Sequence, residues 1–138
     1  MSIFGRKPVP LATMLHPTLG PLRWSSEEKG WIGRTNELTF CLSHEGDSEP
    51  SRELLAYALS LLSPPRPLLE GLQHAKSTWL AKYPRNASEI ESLTYEQVTL
   101  YRRKGKNRVF AMLDPETDGR AWRIEFQEHR CTGLGFDS

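Results

Sequence analysis

Cysteine is scarce in this sequence: Cys41 and Cys131 are the two it has. Two thiols cannot build a disulfide scaffold, and the paired Cys-x-x-Cys knuckles of a strong structural zinc signature are absent. The N-terminal residues lack the apolar core of a signal peptide, because Arg6 and Lys7 interrupt their short apolar opening. No apolar run approaches the roughly 20 residues that a membrane helix needs. An excess of one charge is missing too. With 18 Lys and Arg against 17 Asp and Glu the formal charge is +1, so no global field draws the chain to nucleic acid or an anionic membrane. Charged recognition must therefore be local. There is no glycine-rich strand-to-helix turn to cradle phosphates, no Gly-x-Ser-x-Gly elbow and no His-Glu-x-x-His helix. Internal repeats and low-complexity segments are also absent. These gaps lead us to expect a cytoplasmic protein with reduced thiols, no cofactor, no membrane partner and no general affinity for nucleic acid.

What is present is a core. A chain of 138 residues with 38% hydrophobic content, four Trp, five Phe and four Tyr can bury most of its apolar surface without cross-links. One α+β domain over residues 1–138 is expected, with 1–17 as an extended lead-in broken by Pro8, Pro10 and Pro17. Residues 51–83 predict two helices in tandem. Leu54, Leu55, Ala58, Leu59 and Leu62 line one side of the first, and Leu68, Leu69, Leu72, Trp79, Leu80 and Tyr83 one side of the second. Pro64, Pro65 and Pro67 force a break between them, and residues 86–93 suit one further short turn.

Strands flank the helical pair. Alternation predicts a hairpin from Leu22 that returns at Trp31, with Gly33 marking a bulge or a close approach, and then Leu38, Phe40 and Leu42 facing inward. After the helices, residues 94–103 and 108–113 form a hairpin across residues 104–107, and residues 121–127 alternate strictly, with Trp122, Ile124 and Phe126 inward. The order is three strands, two helices, three strands. It predicts a mainly antiparallel sheet of about six strands with the helical pair on one face. The fourth strand can lie beside either the first or the third.

Chemistry-bearing residues are few. Cys41-x-x-His44 and His129-x-Cys131 supply zinc-type ligands, yet Cys41 and His44 point to opposite faces of a regular strand, so no metal site is expected. Cys, His and acid side chains occur without a nucleophile's context, and His16 and His74 read as structural. Asn86-Ala87-Ser88 matches a glycosylation acceptor in a chain with no secretion signal. The basic cluster Arg102, Arg103, Lys104, Lys106 and Arg108, beside Tyr101, describes either a phosphate-gripping patch or a solvated hairpin tip protected against edge pairing.

The segments His16-Pro17-x-Leu19-Gly20-x-Leu22 leading into Trp24, Trp31-x-Gly33, and Gly133-x-Gly135-Phe136-Asp137 resemble small bacterial domains of unknown function. Some of those are encoded near polymorphic toxins as candidate immunity proteins. The resemblance implies a non-catalytic protein-binding module that neutralises a toxin by occupying it. The alternative is a small-ligand-binding or enzymatic domain, which a concave pocket with convergent polar groups would favour. Strand alternation places Tyr95, Gln97, Tyr101, Arg103, Arg123 and Glu125 on one outward surface, a composition typical of binding hot spots. The acidic loop with Glu45, Asp47 and Glu49 is a second place where a protein partner, such as a cognate toxin, could dock.

Overall fold

The computed structural model describes residues 13–35, 38–43, 49–115 and 120–136. Four strands come first: β1 (Thr13–His16), β2 (Gly20–Ser25), β3 (Gly30–Thr35) and β4 (Leu38–Ser43). Helices α1 (Arg52–Leu62) and α2 (Arg66–Lys82), a 3₁₀ turn (Pro84–Asn86) and the short α3 (Ala87–Glu91) follow. Four more strands complete the chain: β5 (Thr94–Arg103), β6 (Lys106–Asp114), β7 (Trp122–Gln127) and β8 (Arg130–Phe136). All eight form one sheet whose order is the order of the sequence. Every neighbouring pair is antiparallel except β4 and β5, which run parallel. Antiparallel neighbours need only tight turns, whereas a parallel pair needs a crossover that carries the chain back to the same end of the sheet. The helical segment is that crossover.

The expected α+β class and the helices on one face are both present, and the fourth expected strand lies beside the third. Two strands were not expected. The extended lead-in yields β1, because Gly20 at φ +81° closes a tight turn in which His16 Nδ1 accepts from the backbone N–H of Thr18 and Leu19 at 3.1 and 3.0 Å. The last strand, β8, carries Gly133 and Gly135, which weaken a strand signal, yet it pairs along the length of β7. The order is therefore four strands, three helices, four strands. The sequence also suits turns at Asn36-Glu37 and over residues 114–119; of these, residues 36–37 and 116–119 lie outside the described residues.

Ser51 caps α1, its hydroxyl accepting from Leu54 N–H at 3.1 Å. The buried stripe of α1 is Leu54, Tyr57, Ala58, Leu61 and Leu62, turned slightly from the expected one. Leu55 and Leu59 sit at its margin. Tyr57 takes a core position because its hydroxyl donates to the Glu128 carbonyl at 2.7 Å, which satisfies its polar tip. The break falls at residues 63–65, and Pro67 is accommodated in the first turn of α2, where its missing donor costs nothing. Leu68, Leu72 and Ala75 of α2 are buried. Trp79 meets Trp122 edge-on at 5.2 Å and donates from Nε1 to the Leu134 carbonyl at 2.9 Å.

The buried part of the sheet's inner face is apolar among the described residues. Leu38, Phe40, Leu42, Trp122, Ile124 and Phe126 are all buried as alternation requires, and one hydrophobic cluster joins them to the helices. Gly33 is a close approach and not a bulge: it pairs in register with Phe40, and a Cβ there would strike the Phe40 ring and the Leu22 side chain. Gly71 has the same kind of role in α2, since a Cβ would enter the Phe126 ring.

Candidate functional site

Alternation that sends one set of side chains to the helices sends the other set to the opposite face. The registers align a row across all eight strands: Thr13, Arg23, Ile32, Cys41, Thr99, Phe110, Glu125 and Gly133. A neighbouring row runs through Arg34, Thr39, Gln97, Met112, Arg123 and Gly135. Among the described residues no helix or strand packs over this face. It is nevertheless partly apolar, with Ile32, Phe110 and Met112 half-buried and Leu15 76% exposed at the β1 edge.

Two clefts indent the face and meet at Thr39. One, of about 500 Å³, is lined by Thr13, Pro21, Arg23, Ile32 and Arg34, among others. The other, of about 430 Å³, has Phe110 and Met112 on its floor and Glu28, Glu96, Gln97 and Thr99 around them. Glu28 belongs to the β2–β3 turn, which Ser25 holds by accepting from Glu28 N–H at 3.1 Å. Its carboxylate accepts from Gln97 Nε2 at 3.0 Å, so the turn leans over the open face. Cys41 lies beneath, 1% exposed. Burial, and secondarily the Glu28 charge, push its thiol from 9.0 up to about 11.

The structure brings together most of the residues that sequence reasoning selected. Gln97, Tyr101, Arg103, Arg123 and Glu125 have outward parity on β5 and β7. Tyr95 does not. A β-bulge interrupts the register between Tyr95 and Gln97, so the extra residue Glu96 reverses the parity. Tyr95 turns to the helix side, pairs with Leu113, and donates its hydroxyl to the Leu68 carbonyl at 2.6 Å. That burial holds its phenol well above the usual range. Glu45, Asp47 and His44 lie outside the described residues, and Glu49 is exposed just ahead of α1. Within the basic cluster Arg102 is taken up structurally, donating to Asn107 Oδ1 at 2.6 Å and to the Gly105 carbonyl at 3.3 Å.

Residues that reasoning missed are Ile32, Phe110 and Met112. A signal existed for each of them. Residues 109–113 read Val-Phe-Ala-Met-Leu, an unbroken apolar run that marks a strand with apolar groups on both faces and not one facing solvent. Ile32 follows Trp31 in the same way.

A Ser–His pair also stands on the surface. Ser60 Oγ lies 2.8 Å from His129 Nε2, and the His129 ring stacks on Tyr57. A nucleophile must give its proton to the imidazole. Here the Ser60 hydroxyl donates to the Tyr57 carbonyl at 2.8 Å, so Nε2 acts as donor and the pair ties α1 to the β7–β8 turn. The free thiols of Cys41 and Cys131 sit on strands separated by three others. No protein-family model, curated protein or solved structure matches this chain.

Proposed function

We propose that this protein is a non-catalytic binding module of the immunity type, which neutralises a toxin by covering it with the open face of its sheet. One observation carries the reading: an eight-stranded sheet with its helices on one side presents Ile32, Phe110 and Met112 on the other, where they remain half-buried among charged and polar groups. Apolar groups gathered at the centre of a polar face are the anatomy of a protein interface. Tyr101 beside them supplies a rigid aromatic of the kind that dominates binding energy. The shallow, open clefts suit a protein surface better than a small molecule, which requires enclosure. The bacterial immunity-type resemblance of the sequence motifs points the same way.

The reading is tested by expressing the chain in a bacterial host together with the product of the adjacent reading frame. Growth restored by the wild-type chain and lost again with Phe110→Asp supports it. A neighbour that is harmless, or whose toxicity the chain leaves unchanged, contradicts it.

A further inference from the structure

The open face is not electrically neutral, although the chain nearly is. Arg23, Arg34, Arg103 and Arg108 all have outward parity, and the first three are exposed. The helical segment between residues 49 and 93 balances its acidic and basic side chains one for one. With Arg123, five arginines stand on the open face against the carboxylates of Glu28, Glu96 and Glu125, so the face carries a net excess of positive charge. Four of the arginines lie in two groups. Arg23 and Arg34 flank the cleft that contains Ile32, while Arg103 and Arg108 lie toward the β5–β6 turn, beyond Phe110. The Arg108 Nε–H is buried with no acceptor, which leaves that guanidinium untied at Nε.

We infer that the open face recognises an acidic protein segment that carries apolar side chains between its carboxylates. The inference rests on the binding-module reading and adds the chemistry of the partner. Arginine pairs with carboxylates in a planar, bidentate manner, and the two arginine groups offer such sites on either side of an apolar floor. A polyphosphate chain crossing the same face fits poorly. It would pass Glu28 and Glu96, which border the Phe110 cleft, and then Glu125, exposed in the central row, and each would repel it. A peptide can alternate carboxylates for the arginines with apolar side chains for Phe110 and Met112, and offer backbone donors to Glu28.

The experiment selects random twelve-residue peptides from a display library on the full chain, then measures enriched peptides by fluorescence anisotropy against variants and against a twenty-nucleotide oligothymidine. The expected peptides are acidic with interspersed Leu, Phe or Trp. Their affinity should fall about tenfold or more in the double variant Arg23→Glu/Arg34→Glu and in Phe110→Asp, and stay unchanged in Leu69→Asp on the helix side. It should also weaken between low and high salt. Melting curves establish that each variant is folded. Peptides that are neutral or basic yet sensitive to Phe110→Asp would overturn the acidic partner and leave the binding module standing. Enriched peptides insensitive to Phe110→Asp, or no enrichment, would overturn both. Tighter binding of oligothymidine than of any peptide would overturn the inference in favour of nucleic acid.

Discussion

At the scale of single residues, Trp122 ties β7 to α2, α3 and β8. It is 1% exposed, meets Trp79 and Phe136 at ring distances of 5.2 and 4.9 Å, and donates from Nε1 to Glu89, whose carboxylate also pairs with Arg120 at 3.2 Å. Trp122→Ala should cost about 3–5 kcal/mol in denaturant melts, the range for a large buried aromatic. A loss below about 1 kcal/mol would mean that the ring is not part of the core. Gly71→Ala sets two effects against each other. Alanine gains about 1 kcal/mol of helix propensity, but its methyl would enter the Phe126 ring, and overpacking costs about 1–3 kcal/mol. Net destabilisation is expected, and an increase in Tm would show that Phe126 can move aside. Cys41 yields a prediction in pH. Its folded pKa, about 11, lies above the ordinary 9.0, so the unfolded chain loses this proton first. The stability that Cys41 contributes is full below about pH 9 and falls as pH rises towards 11. Cys41→Ala should flatten that part of the profile, and an unchanged slope would locate the titration elsewhere.

At the scale of elements, most of the fold was legible because period and packing agree. Trp122, Ile124 and Phe126 alternate in sequence and are buried together, and the proline-rich break between the helices is where the chain leaves α1. Failures came where one residue changed the geometry without changing the composition. Glu96 looks like any strand residue, yet as the bulge it moves Tyr95 from the open face to the core. Strand β8 hid behind its glycines, which carry no side chain to alternate, and is specified by its pairing with β7. The outward apolar residues were missed because Val98 and Leu100 determined the faces of β5, while its partner β6 is apolar on both. The bulge makes a contrast testable. Tyr95→Ala should destabilise by about 3 kcal/mol, because it removes a ring packed against the core and leaves the Leu68 carbonyl without its partner. Tyr101→Ala should leave stability within about 0.5 kcal/mol and instead weaken a partner by about 2 kcal/mol. Equal stability losses would mean that both tyrosines share one face.

At the scale of the whole molecule, the topology explains why one face is left open. Seven neighbouring pairs in sequence order leave a single parallel junction, and a single crossover carries all the helices of the described chain. Helices that enter and leave through one junction cover one face. The Glu28 turn leaning onto Gln97 narrows the other, and Thr39 joins its two clefts into a continuous surface. This surface, and not the helical layer, is where the proposed partner would dock. The check is the affinity for the proposed partner, the product of the adjacent reading frame, measured by calorimetry for Phe110→Asp and Leu69→Asp. Leu69 is a fair control, being 52% exposed on α2. Phe110→Asp should lose at least tenfold, about 1.4 kcal/mol, and Leu69→Asp nothing; unchanged binding by Phe110→Asp together with a loss in Leu69→Asp would move the interface to the helical layer.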